Sequence, residues 1–61
     1  MKELDVVELK NDFRGLSKGT RGTIVLEYDG TLFEVEFVDS TGKTVDVLTT
    51  PADQLKLATD S

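Results

Sequence analysis

An all-β fold is predicted by three observations. Runs of alternating apolar and polar residues recur at LDVVELK (4–10), TIVLEY (23–28), TLFEVEFV (31–38) and KTVDVLT (43–49). Turn-forming Asp29-Gly30 and Ser40-Thr41-Gly42 separate the later runs. No stretch keeps its apolar residues at helical spacing.

The first strand is expected within Leu4 to Lys10, with Val7 and Leu9 facing inward and Val6 as a rival to them. A long loop follows, broken by Gly15, Gly19 and Gly22. Phe13 or Leu16 is placed to plug one open end of the core.

Two turns fix the expected register. Asp29-Gly30 favours a two-residue type I′ hairpin, in which both central residues need positive φ. Tyr28 then faces Thr31, Leu26 faces Phe33, Ile24 faces Val35 and Gly22 faces Phe37. The second turn suits a three-residue loop with a left-handed Gly42, so that Asp39 faces Lys43, Val45 faces Phe37 and Val47 faces Val35. A two-residue loop on Ser40-Thr41 would shift the register by one and set Asp46 beside the core, which argues against it. The inner face is read as Ile24, Leu26, Tyr28, Phe33, Val35, Phe37, Val45 and Val47. Leu55 and Leu57 close its other side from a short last strand, 54–58. Before that strand, Thr50 is placed to cap a single 3₁₀ turn over 51–54, with Pro51 at its first position and Asp53 in its first turn.

Strand, long loop, three strands on tight turns, one 3₁₀ turn, short strand: this is the layout of a small five-stranded SH3-like barrel, one domain over residues 1–61. A chain of 61 residues buries only about 60% of its unfolded surface. With no cysteine and no histidine, disulfides and zinc or haem ligation through those residues are excluded. No apolar run approaches the length of a membrane span, and the start, Met1-Lys2-Glu3-Leu4-Asp5, is charged. A soluble, cytoplasmic protein is expected, with no membrane partner.

The segments DVVELKNDF, GLSKGTRGTIV, YDGTLFEVEFVD and TTPADQLKL resemble a family of short bacterial proteins known only as a domain of unknown function. The likeness spans nearly the whole chain, and GTRGTIV, FEVEF and PADQL carry it. The resemblance implies an SH3-like fold and no established activity. Some members of that family lie beside small toxin-like genes, which implies an antitoxin or immunity role. It implies no catalytic residues.

The residues themselves point away from catalysis. Only serine, threonine or lysine remain as nucleophiles, and Ser17, Lys18 and Ser40 lie in turns, where they are ordinary. A paired-carboxylate glycosidase needs a cleft that so small a barrel does not hold. GLSKGTRG lacks the G-x-x-x-x-G-K-[ST] order of a phosphate loop, and no helix follows it. Glu34, Glu36 and Asp46 supply oxygen ligands but no loop of carbonyls to complete a cage. No enzyme activity, cofactor or specific metal is expected.

Charge is distributed unevenly around a net of −5. Residues 10–21 carry Lys10, Arg14, Lys18 and Arg21 against Asp12 alone, and residues 27–46 carry six acids against Lys43. The expected register lines the outer face in rows: Thr23, Glu36, Asp46; Val25, Glu34, Leu48; Glu27, Leu32, Thr50. Glu36 then opposes Asp46, a destabilising like-charge pair that Glu36→Lys should relieve. Val25, Leu32 and Leu48, rimmed by Glu27, Glu34, Glu36 and Asp46, have the make-up of a modest protein interface for a basic partner. The sequence-based expectation is therefore a noncatalytic protein-binding module, an antitoxin- or immunity-like protein or a small accessory subunit. A homodimer that joins these faces is the second use of the same surface. The alternative is a nucleic-acid-binding barrel using Lys10, Arg14, Lys18 and Arg21. Net acidity and the shortage of exposed stacking aromatics weigh against it.

Overall fold

The computed structural model describes residues 1–58. Five strands, β1 (Val6–Leu9), β2 (Arg21–Glu27), β3 (Leu32–Val38), β4 (Thr44–Pro51) and β5 (Leu55–Leu57), form one antiparallel sheet in the order β4-β3-β2-β1-β5. A 3₁₀ turn, Ala52–Gln54, joins β4 to β5. Val7, Leu9, Ile24, Phe33, Val35, Phe37 and Leu55 make the buried core, with Phe13, Leu16, Leu48 and Ala52 packed against it. The all-β expectation, the five strands and the 3₁₀ turn before the last of them are all present.

The register departs from expectation at two β-bulges, each with a local cause. Gly22 faces Phe37 and Ile24 faces Val35 as expected, but then Leu26 faces Glu34 and Glu27 faces Phe33. Val25 is the extra residue. It compensates a turn one residue longer than a type I′ hairpin. Asp29 keeps a negative φ, and its carboxylate accepts from the Thr31 N–H (3.0 Å) and hydroxyl (2.7 Å). This side-chain turn closes a three-residue loop, so the Tyr28 N–H bonds the Leu32 carbonyl at 3.0 Å.

At the second turn the loop is as expected: Asp39 faces Lys43 and Gly42 has φ 87°. Its aspartate works in the same way, accepting from the Thr41 N–H (2.8 Å) and hydroxyl (2.6 Å) and the Lys43 N–H (3.1 Å). The shift comes one step later. Val38 faces Thr44 but Phe37 faces Asp46, so Val45 is the bulge. Asp46 thus stands opposite a core residue after all. It does so on an exposed edge strand, where the carboxylate stays in water and the burial cost never arises.

These bulges turn several side chains around. Leu26, Tyr28, Val45 and Val47, read as core, are exposed, and so are Leu57 and Val6 at the other end. Leu48, read as exposed, packs on the core. Thr50 is fully buried in β4 rather than capping the 3₁₀ turn, and its hydroxyl donates to the Leu48 carbonyl at 3.1 Å. Pro51 takes the N-cap place, and Asp53 lies in the first turn as expected. The long β1–β2 loop holds a tight turn of its own. Arg14 (φ 48°) and Gly15 (φ 85°) form its centre, and Phe13 and Leu16 exchange backbone bonds of 2.8 and 2.9 Å.

Both Asp-x-Thr turns hold their carboxylates below the usual aspartate value of 3.8: in each the threonine hydroxyl bond dominates, with backbone N–H donors behind it. Asp5 is lowered in the same way by its bonds to Lys2. Groups with depressed folded values contribute stability above the unfolded value and lose it as pH falls through the folded one. Melting temperature is therefore expected to hold near neutrality and fall below about pH 4. Asp29→Asn with Asp39→Asn, which keeps acceptors but removes the titration, should flatten part of that acid limb. An unchanged limb would detach it from these turns.

Candidate protein-binding face

β3 alternates strictly. Phe33, Val35 and Phe37 point into the core, and Leu32, Glu34 and Glu36 point outward. Around Glu34 the register gathers Leu26 on β2 and Thr49 on β4, with Val47 one step along beside Glu36. Val25, Leu26, Leu32 and Val47 are 42%, 43%, 37% and 47% exposed. Two of the four, Leu26 and Val47, arrive on this face only because of the bulges.

The acids of this face do not repel one another across the ladder. Glu36 faces Val47, not Asp46, and its carboxylate accepts the Thr44 hydroxyl at 2.5 Å. Glu34 accepts the Thr49 hydroxyl at 2.6 Å. Both carboxylates thus lean across β4. Of the seven residues expected to share the face, Val25, Leu32, Glu34 and Glu36 do. Glu27 moves into the Phe33 row, Asp46 into the Phe37 row, and Leu48 turns inward.

Without the like-charge pair, the reason for Glu36→Lys to stabilise is gone. The substitution is now expected to lower stability by about 0.5 kcal/mol, because Thr44 loses its acceptor to water. Urea titration measures it, and a gain in stability would restore the Glu36–Asp46 pairing.

The four cations of residues 10–21 each belong to a residue with local contacts of its own. Arg21 faces Glu8 across β1 and β2, its Nε 3.8 Å from the carboxylate, which Lys56 of β5 also approaches at 3.3 Å. Arg14 lies over the Phe13 ring, 5.8 Å from its centre. The Lys18 backbone N–H is held by Asp12 at 2.8 Å. Lys10 donates its N–H to the Gln54 carbonyl at 2.8 Å. An open groove of about 610 Å³ runs between residues 15–20 and the start of β4, with Leu16, Val38 and Val45 on its walls beside Lys18, Arg21 and Asp39.

Chemically, the Thr44–Glu36 and Thr49–Glu34 pairs set a hydroxyl beside a carboxylate, the first requirement of an activated nucleophile. They lie on an open sheet face and tie β4 to β3. Among the described residues no group of three or more His, Cys, Asp or Glu is arranged to hold a metal ion. The Glu34, Glu36, Asp46 trio is split by the bulge at Val45. No helix among the described residues is long and apolar enough to cross a membrane.

Sheet, turns and face together define a small all-β domain with a mixed aliphatic and acidic outer surface. The chain belongs to the family described as a domain of unknown function, DUF4926, whose profile matches residues 3–57. No curated protein and no solved structure matches it.

Proposed function

We propose that the chain is a noncatalytic protein-binding module that docks a basic partner through the outer face of β2, β3 and β4. The supporting observation is the exposure of Val25, Leu26, Leu32 and Val47 around Glu34 and Glu36. Clustered aliphatic groups with charged groups at their margin are the make-up of an interface core and rim. The carboxylates speed encounter with a basic surface and reject acidic ones. In this reading the chain works by occupying its partner, as an antitoxin- or immunity-like protein or a small accessory subunit does. The cytoplasm is the compartment that suits a cysteine-free chain.

Proteins captured from host extract by the wild-type chain, then titrated individually, test the reading. Leu26→Lys with Glu34→Lys is expected to weaken the specific complex at least about tenfold, some 1.4 kcal/mol. Arg14→Ala with Lys18→Ala should leave it intact. Binding of RNA or DNA with a steep salt slope, abolished by the loop pair and untouched by the face pair, would overturn it.

A further inference from the structure

β4 is an edge of the sheet: β3 covers one side, and among the described strands none pairs with the other. Two bonds fix the phase of the β3–β4 ladder. The Asp39 N–H bonds the Lys43 carbonyl at 2.9 Å, and the Ala52 N–H bonds the Thr31 carbonyl at 2.8 Å. In an antiparallel pair, hydrogen-bonded and non-bonded positions alternate. Counting in from both ends across the bulge, Asp46, Leu48 and Thr50 turn their backbone groups toward β3. Those of Val47 and Thr49 point away from the sheet. An edge with unpaired N–H and C=O groups is a template for another strand.

This edge is partly closed. Pro51, at the next outward position, has no N–H to offer. The Val47 N–H is taken by the carboxylate of Asp46, at 2.9 Å. The open stretch is therefore Val47 to Thr49, with a negative charge standing on its first donor. Glu36 and Glu34, drawn over β4 by Thr44 and Thr49, flank the same stretch.

The geometry points to this edge as a strand-addition seam for an extended basic segment, one that alternates lysine or arginine with aliphatic residues. The inference rests on the protein-binding reading and specifies its mode. A cationic side chain draws the Asp46 carboxylate off the Val47 N–H, and that donor then bonds the incoming backbone. Alternation sets the segment's cations on the side of the seam where Asp46 stands and its aliphatic residues on the other side, where they pack on Val47. A second copy of the chain does not suit the seam. A two-fold pairing about Val47 would bring two Asp46 carboxylates and the flanking glutamates of both copies together, and each chain already carries −5. The charge that excludes the chain from itself selects the partner.

The test uses the full chain, ¹⁵N-labelled, titrated with an end-blocked Lys-Val-Arg-Val-Lys-Val-Lys peptide and with a counterpart bearing glutamate in place of each cation. The basic peptide is expected to bind and to slow amide hydrogen exchange at Val47 and Thr49 at least tenfold, and the acidic one to do neither. Asp46→Asn, which keeps an acceptor for the Val47 N–H without the charge, should weaken the basic peptide severalfold. Shifts at Leu26 and Glu34 with unchanged exchange at Val47 and Thr49 would overturn the seam while leaving the protein-binding reading standing. Equal binding of both peptides, no binding of either, or concentration-dependent protection of Val47 and Thr49 without peptide would each overturn it as well.

Discussion

Phe37→Ala is expected to leave most of the chain unfolded at 25 °C. The ring is fully buried in a core of seven residues, opposite Gly22 on β2. Truncating a buried phenylalanine costs about 3–5 kcal/mol, as lost transfer energy and cavity together. A single core in a chain of this size supplies roughly 3–5 kcal/mol in all. The two figures are equal within their spread, so the folded population should collapse. Loss of amide dispersion in a ¹H–¹⁵N spectrum and a featureless thermal scan would report it. Leu26→Ala is the control. Its side chain is nearly half exposed, and the effect should fall within about 0.5 kcal/mol. A Leu26→Ala as damaging as Phe37→Ala would mean that the bulge at Val25 is misplaced, and a folded Phe37→Ala would mean that this ring does not anchor the core.

That contrast marks how much of the molecule is legible in its sequence. Ile24, Phe33, Val35, Phe37, Val7, Leu9 and Leu55 lie inside as their alternation implies, and the pairs Gly22–Phe37 and Ile24–Val35 hold because the bulge at Val25 offsets the extra residue of the turn. The pattern misleads where a single extra residue enters a ladder. Val25 and Val45 are ordinary strand residues, and nothing in either marks a bulge. A visible signal does exist in the turns. Asp29-Gly30-Thr31 and Asp39-Ser40-Thr41 share the spacing Asp-x-Thr, which suits a carboxylate accepting from the residue two ahead. Weighing Thr31 as well as Gly30 favours the longer loop, and the longer loop requires the bulge.

The candidate face was half legible for the same reason. Glu34, Glu36 and Leu32 belong to β3, whose alternation is unbroken, so their outward direction follows from Phe33, Val35 and Phe37 pointing inward. Partners on β2 and β4 sit beyond the bulges, and there Val47 and Leu26 replace Leu48 and Glu27. The exchange makes the face more aliphatic than its sequence rows imply. It also moves Asp46 from the middle of the face to the backbone of the free edge, where it holds the Val47 N–H.

Gly22→Ala is the second substitution expected to have a large effect, and its cause is space alone. The residue does not have a positive φ, so an alanine there meets no backbone strain of its own. Its Cβ, however, would lie 2.6 Å from Val35 Cγ1, 2.9 Å from the Glu36 carbonyl oxygen and 3.0 Å from Phe37 Cδ1. Two of these atoms belong to fully buried side chains and one to the neighbouring backbone, so none can swing into solvent. Overpacking of this kind costs about 1–3 kcal/mol, a large share of what so small a core supplies. At Gly22 the packing of β2 on β3 leaves no room for a side chain, as a glycine in a strand interior often marks. Forcing the strands apart there should also disturb the ladder that carries Val25 and Leu26 outward. Gly22→Ala is thus expected to lower the urea midpoint sharply, and Val35→Ala in the same chain, by removing Cγ1, should recover part of the loss. A double-mutant cycle reads that coupling directly. Strict additivity of the two losses would show that the close approach of β2 to β3 at Gly22 does not set the packing.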